Sequence, residues 1–462
     1  MSGSPIAGIP TDGEIAVLGL ARSGRAVATL LARRGHPVYV SDSSSSAAVS
    51  AAASELAAAG IAAEVGGHDL GRIGRAALVV VSPGIPPTAA VLAAARASKV
   101  PVVSEIEVAL RSLDESRVIA VTGTNGKSTT TAMIGAMLAE LGGDVAVAGN
   151  IGRPLSEVAL RERAPEWIAL ELSSFQLHDT HSLSADVGVL TNLSPDHLDR
   201  YASVDEYYGD KARLFSRATG GSTWVSNADD ADSTRMTAGV AGRHVRFSLS
   251  KRADAWLDAG SGMLRLRNDD LMPRGDLPLL GKHNIANALA AALAVSVSDE
   301  AFAGPAARER IARALRNFKA LSHRLELLGE FRGVQWINDS KATNVGAALV
   351  ALEAMERPTV LLLGGRHKGE PYAPLIDEIR RTVKNVIAYG EAAPLVANGL
   401  RAVADVRTPG NSFEDVIAEA RRCAEPGDAV LLSPACSSYD MFASYEERGD
   451  RFRQLVTGTG SP

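Results

Sequence analysis

Short apolar stretches alternate along the chain with longer runs whose apolar positions recur at helical spacing, and glycine-rich breaks separate them. Residues 14–18 predict a strand, 19–24 a turn, 26–34 a helix and 37–41 a second strand closed by Asp42. Residues 76–82 predict a further strand that stops at Pro83-Gly84, and Ser104-Glu105-Ile106-Glu107 opens a helix that leaves this first unit. A second unit opens with a strand over 117–122, then a polar glycine-rich turn and a helix over 127–141. Strands over 167–170 and 185–190 and a helix over 201–217 follow. Between 222 and 271, short alternating segments (243–248 and 263–267) predict a small meander or strand insertion, and the alanine-rich stretch 284–295 predicts a buried helix. A third unit begins near Leu321, with strands over 333–337, 358–363, 383–389 and 429–433 and helices between them, such as 413–422.

Such alternation predicts three α/β units in series on mostly parallel sheets. The length, 462 residues, agrees with about three domains. The boundaries expected are a flexible tail over 1–13, then domains over 14–112, 113–321 and 322–462. The tail is rich in Gly, Pro and Ser and lacks the basic and apolar regions of a secretory signal. The units are not evident copies of one another, which disfavours a solenoid.

Composition narrows the function classes. Lys plus Arg number 48 and Asp plus Glu 53, a net charge of −5, which argues against a broad cationic nucleic-acid surface. The only cysteines, Cys423 and Cys436, make neither a disulfide framework nor a four-thiolate metal site, and suit a reducing cytoplasm. The aliphatic runs are too short to span a bilayer.

The sharpest chemical signal is Gly123-Thr124-Asn125-Gly126-Lys127-Ser128-Thr129, between a predicted strand and a predicted helix. Such a turn aims backbone N–H groups at one point, and the helix start adds partial positive charge. Lys127 supplies a full charge for the β- and γ-phosphates of ATP or GTP, and the Ser128 hydroxyl can reach magnesium. Val121 stands where the usual phosphate-loop pattern begins with glycine, so the motif is a shortened relative. In the first unit, Gly19-Leu20-Ala21-Arg22-Ser23-Gly24 resembles a dinucleotide turn, but Ala21 replaces its second glycine. A dinucleotide, another phosphate-bearing ligand and a purely structural turn all remain open for it. Glu171 follows a predicted strand and can hold magnesium near the phosphate loop. The stretch 191–199 gathers Asp196, His197 and Asp199 at another strand end, where Asp or His can complete a magnesium shell or bind its waters. No zinc-binding spacing appears; magnesium, which prefers oxygen ligands, suits phosphate chemistry. Lys211 alone reads as an ordinary surface lysine.

Taken in order, these motifs resemble those of the Mur ligase family of peptidoglycan synthesis. The marks are 123–129, Glu171-Leu172-Ser173-Ser174, 192–199, Gly281-Lys282-His283-Asn284-Ile285-Ala286-Asn287 and His323-Arg324. Ser82-Pro83-Gly84, Ser104-Glu105-Ile106-Glu107, 338–344, 364–368 and 432–438 resemble the D-glutamate-adding branch. The resemblance implies a Rossmann-like N-terminal domain, a central P-loop ATPase-like domain and a Rossmann-like C-terminal domain. It implies an ATP-dependent ligase that joins D-glutamate to UDP-N-acetylmuramoyl-L-alanine with Mg2+, two ions in all, as a cytoplasmic monomer. By resemblance, residues 123–129 cradle ATP phosphates, and Asn287, Arg324 and Asp339 contact its base and ribose. Glu171 and His197, with Ser128 and a carbamate on Lys211, place the metal. Ser23, Asp42 and Asn150 serve the UDP-muramoyl substrate, so the first turn takes a diphosphate rather than NAD. Lys341, Thr343, Lys368 and Ser438 face D-glutamate, with Tyr439 and Tyr445 beside them. The two tyrosines stand where Phe or Leu types are usual, and Gly365-Arg366-His367-Lys368 is more basic than its usual counterparts.

Overall fold

A computed structural model describes residues 4–197, 200–410 and 412–458. It has three sheets in chain order and divides into two compact units, one of 1–276 with 286–316, the other of 277–285 with 317–462.

The first unit holds two sheets. The five-stranded one runs Ala62–Val65, Val38–Asp42, Ile15–Leu18, Leu78–Val81, Val102–Ser104, all parallel. Its strand order reverses direction beside Ile15–Leu18, so the crevice at that strand's C-terminal end is the place for a ligand. The nine-stranded sheet has Arg117–Thr122 between Val187–Leu190 and Trp167–Glu171, with Val145–Gly149 on the edge beyond. These four strands are parallel; the apolar residues of the inner three are buried on both faces, as expected of strands covered by helices, while Val145 and Val147 on the edge strand are half-buried.

The predicted meander is present only in part. Ala255–Asp258, Met263–Leu266 and Asp269–Pro273 pair antiparallel, but Thr223–Asn227 and Arg243–Ser248 continue the parallel sheet around the helix Ala231–Thr237. The predicted helix over 201–217 is shorter: Ser203 caps Val204–Ala212, and a 3-10 turn, Arg213–Phe215, ends it.

The second unit carries a six-stranded sheet in the order Glu326–Phe331, Val334–Asn338, Ala429–Leu432, Thr359–Gly364, Val383–Tyr389, Asp405–Arg407. Only its first strand is antiparallel. Strands ending at Asn338, Leu432 and Gly364 are neighbours, which collects the turns that follow them at one edge. Among the described residues no helix is long and apolar enough to cross a membrane.

Residues 4–13 depart from the expected flexible tail. Ile6 and Ile9 are buried in the core of the first unit. His36 accepts from the Ile6 amide at Nε2 (3.1 Å), while its Nδ1 meets the Pro10 carbonyl at 2.8 Å, an arrangement met by the neutral Nδ1–H tautomer. Arg111 donates to the Gly8 carbonyl (2.6 Å). Two isoleucines spaced three apart in a polar segment gave this stretch too weak a pattern to announce its packing. Truncating Ile6→Ala leaves a cavity under this strap and is expected to cost about 2–4 kcal/mol. A lowered urea unfolding midpoint checks it, and an unchanged midpoint would show that the strap carries no stability.

Candidate active site

The strand Arg117–Thr122 ends at Gly123, whose φ of 143° lies in the region open to glycine. A Cβ there would sit 2.0 Å from Thr191 Oγ1. Gly126 (φ 81°) then turns the chain into the helix Lys127–Glu140, with Ser128 buried in its first turn and Thr129 half-buried beside it.

The turn after Val187–Leu190 laces this loop in place. The Thr124 amide donates to the Asn192 carbonyl (2.9 Å), and the Asn125 amide to Asn192 Oδ1 (2.9 Å). Thr191 Oγ1 donates to the Asn125 carbonyl (2.6 Å) and Thr124 Oγ1 to the Ser194 carbonyl (3.0 Å). From the far side, Thr130 donates to Asn287 Oδ1 (3.3 Å), which brings predicted Asn287 against the phosphate loop.

Two lysines converge on one carbonyl oxygen. Lys127 Nζ donates to the carbonyls of Gly123 (3.1 Å) and Thr124 (2.8 Å), and Lys211 Nζ donates to Gly123 at 2.7 Å. Lys211 is no surface lysine: only 1% of it is exposed, and its ammonium lies 4.5 Å from the centre of the Tyr207 ring. Burial, and then the charge of Lys127, push Lys211 well below the ordinary lysine range, against the opposing pull of Asp196, Asp210 and Glu171. Asp210 is held by His178 Nδ1 (2.8 Å), the Tyr201 hydroxyl (3.0 Å) and Arg213 Nε (3.2 Å). That network was missed in the sequence. Tyr207 had a signal, since it stands four residues before Lys211 on one helix face.

Glu171 closes the adjacent strand. Its Oε1 accepts from Asn150 Nδ2 (2.9 Å), so the structure joins two predicted residues, and its Oε2 is buried without a hydrogen-bond partner. His197 lies further out, its side chain 45% exposed, at φ 55°, packed on Phe175 and Tyr207 with ring centres 5.2 and 6.0 Å away. Asp199 falls outside the described residues. Among the described residues no three His, Cys, Asp or Glu side chains form a ready-made metal cage.

In the five-stranded sheet, Asp42 accepts from the Leu20 amide (2.7 Å) and the Ser44 amide (2.8 Å), fixing the turn that carries half-buried Ser23. Buried Ser82 Oγ has no partner and faces that turn: a Cβ on Gly19 would lie 2.9 Å from it. The motif Ser82-Pro83-Gly84 was its only sequence signal. Arg22 forks onto both oxygens of Glu157 (2.6 and 2.8 Å) and onto the Gly152 carbonyl (3.1 Å), tying the turn to the loop that carries Asn150.

The second unit gathers another set. Lys341 Nζ donates to the Tyr445 hydroxyl (3.1 Å), and Lys368 Nζ to Thr343 Oγ1 (3.2 Å). Ser438 is buried, whereas Tyr439 is 65% exposed. Asp339 accepts from the Leu325 amide (3.1 Å) and Ser433 Oγ (2.9 Å); burial raises its carboxyl to about 7, opposed by those bonds and by Arg324 and Arg448. Arg366 pairs with both oxygens of Glu391 at the surface, and His367 Nε2 meets the Glu370 carbonyl at 2.9 Å. Both cysteines are free and buried.

Comparison with known proteins gives consistent matches along the chain. Residues 13–104 match the Mur ligase MurD-like N-terminal domain, 121–295 the Mur ligase middle domain, and 323–436 the Mur ligase glutamate ligase domain. The chain is 39% identical over 449 residues to UDP-N-acetylmuramoylalanine--D-glutamate ligase of Acidobacterium capsulatum, covering 96% of each. It is 40% identical over 454 residues to the enzyme of that name from Salinibacter ruber, covering 95% of this chain and 96% of the other. Among solved structures, UDP-N-acetylmuramate-alanine ligase from Thermotoga maritima shares the fold with a TM-score of 0.59 at 18% identity, over 96% of this chain and 99% of that one. A pseudomurein peptide ligase type C from Methanothermus fervidus does so with a TM-score of 0.58 at 20% identity, over 97% of this chain and all of the other.

The crowding at Gly126 supplies a test of the loop. A methyl group there would lie 2.2 Å from Asn287 Oδ1, at a left-handed φ. Gly126→Ala is expected to weaken ATP binding at least about 10-fold, since misplaced loop groups lose their alignment. Calorimetric titration with ATP reads this directly, and wild-type affinity would contradict the loop's role.

Proposed function

The chain belongs to the Mur ligase family, and from that premise we propose that it adds D-glutamate to UDP-N-acetylmuramoyl-L-alanine at the expense of ATP. The observation that carries the reading is the convergence of the phosphate loop, Lys211 and Glu171 on adjacent ends of one parallel sheet.

A carboxylate makes a poor acyl donor because its oxygen leaves badly. In the proposed reaction, the L-alanine carboxylate attacks the γ-phosphorus of ATP, ADP departs and an acyl phosphate forms. The D-glutamate amine, in its neutral form, then attacks the acyl carbon, phosphate leaves and the nitrogen gives up a proton. Lys127 and the amides of 123–129 stabilise charge on the transferring phosphoryl group. Asn287 braces the loop, and Arg324 and Asp339 serve the rest of the nucleotide. Ser23, Asp42 and Ser82, at the sheet's switch point, suit the UDP diphosphate and its nucleoside, while Asn150 takes the muramoyl part. Lys341 and Lys368 match the two carboxylates of D-glutamate, with Thr343, Ser438, Tyr439 and Tyr445 around them.

Family members use ATP with magnesium, and the residues present fit that ion. Magnesium keeps waters and nucleotide phosphates and needs only one or two protein oxygens. The buried, unpartnered Oε2 of Glu171 and the hydroxyl of Ser128 would be such oxygens, and His197 would orient bound water. When bound, the ion neutralises phosphate charge. Lys211 suits a carbamate: its lowered basicity favours the neutral amine, which adds to CO2 with release of a proton, and the product would be an anionic oxygen ligand.

With UDP-N-acetylmuramoyl-L-alanine and ATP, phosphate release is expected to be greatest with D-glutamate. Greater release with L-lysine or meso-diaminopimelate would overturn the assignment. Lys127→Ala should lose about 10²-fold or more in turnover. Lys211→Ala should lose activity severely and recover part of it in acetate or formate, and 13C-bicarbonate should label one carbamate carbon in the unsubstituted chain alone. Full activity of Lys211→Ala without rescue would reject the carbamate.

A further inference from the structure

Arg448 is one of the largest fully buried side chains of the protein, and it forms no ion pair with any described carboxylate. Its guanidinium is spent instead on the backbone and one hydroxyl. Nε donates to Ser340 Oγ (2.9 Å), Nη2 to the Ser340 carbonyl (2.8 Å), and Nη1 and Nη2 to the Cys436 carbonyl (3.2 Å each). Ser340 Oγ passes its own proton on to the Tyr445 carbonyl (2.8 Å). The fork thus ties the turn after Val334–Asn338 to the turn after Ala429–Leu432.

A third turn joins them. The Arg366 amide donates to the Ser437 carbonyl (2.9 Å) and the Ser437 amide to the Arg366 carbonyl (3.1 Å). Gly365, at φ 128°, permits this approach: a Cβ there would lie 2.3 Å from the Ser437 carbonyl oxygen and 3.1 Å from Arg448 Nη1. The same three turns carry Lys341 and Thr343, Ser438, and Lys368. Tyr445, which holds Lys341, sits one turn before Arg448 on the helix Tyr445–Thr457.

A buried cation without a directly paired carboxylate is costly to keep, and Arg448 has instead the more distant pull of buried Asp339. A planar fork of donors reaches two carbonyls and a hydroxyl at once, which the single ammonium of lysine does not. Carbonyl dipoles orient the guanidinium without cancelling its charge.

We propose that Arg448 is a positioning residue for the amino-acid substrate: it fixes the two turns that carry Lys341, Thr343 and Ser438, through them the third turn that carries Lys368, and lends positive charge to the entering dicarboxylate. This rests on the reading that those four residues face D-glutamate.

The test is steady-state phosphate release by the full chain, with KM for D-glutamate and for UDP-N-acetylmuramoyl-L-alanine measured separately and thermal melting run alongside. Arg448→Met is expected to raise KM for D-glutamate at least about 10-fold while KM for the UDP substrate stays within about twofold. Arg448→Lys keeps the charge, loses the fork and should recover only part of that loss. Ser340→Ala removes one of the fork's partners and should raise KM for D-glutamate about threefold. Folded Arg448 variants with wild-type KM for D-glutamate, or with both KM values raised together, overturn the inference. If the Arg448 variants fail to fold, Ser340→Ala decides, and an unchanged KM for D-glutamate rejects it. Lys368→Met run in parallel separates the two readings. Without an effect of Lys368→Met on KM for D-glutamate the site assignment fails, whereas an effect there and none at Arg448 and Ser340 removes only the positioning role.

Discussion

One carbonyl oxygen, that of Gly123, receives hydrogen bonds from two lysine ammonium groups, and much of the first unit is arranged to make this possible. Like charges so close repel, and burial penalises both, so Lys211 is driven towards its neutral form. The arrangement is stable to the extent that the surrounding loop cannot relax. Gly123 adopts a φ closed to other residues, Thr191 and Asn192 bind the loop's backbone groups, and Asn287 fills the space beside Gly126. In the proposed reaction an incoming polyphosphate would meet the charge of Lys127 in a loop already fixed, which is how a preorganised electrostatic site favours bound anion and transition state.

Topology brings these parts together without long-range design in the sequence. Neighbouring parallel strands end at Thr122, Glu171, Leu190 and Gly149, so short turns far apart in the chain meet at one edge. The six-stranded sheet repeats the device with strands ending at Asn338, Leu432 and Gly364. There a guanidinium laces two of the turns, and backbone bonds between Arg366 and Ser437 hold the third.

Local periodicity carried most of the fold. The strands Arg117–Thr122 and Val383–Tyr389 and the start of the helix at Lys127 were legible because apolar runs met glycines abruptly. What escaped depends on partners distant in sequence. Lys211 sits on a helix whose polar and apolar residues mix, so its burial under Tyr207 had no periodic signature. Its role could be suspected only through resemblance to other ligases. Ile6 and Ile9 find their core through His36 and Arg111, which no local pattern links to them. Arg448 lies in a helix with Arg451 and Arg453, both of which pair with acids, Glu414 and Glu326. Nothing in the run of charges separates the buried arginine from its half-buried neighbours.

That contrast gives a physical criterion for where this weakly acidic chain does its chemistry. Many arginines are paired with carboxylates near the surface: Arg22 with Glu157, Arg366 with Glu391, Arg451 with Glu414. Such pairs add little stability and cancel each other's field. Lys211 and Arg448 are buried and bonded to carbonyl oxygens instead. A carbonyl dipole orients a cation without cancelling its charge, so buried Arg448 keeps a positive field in poorly screened space, whereas Lys211, its basicity depressed by burial and by Lys127, is poised to give up its charge. A net charge of −5 spread over the whole chain is therefore compatible with binding a nucleotide triphosphate, a sugar-linked diphosphate and an acidic amino acid. What decides is how the buried cations are held: Lys211 in one unit and Arg448 in the other are bonded to the turns at the C-terminal ends of parallel strands.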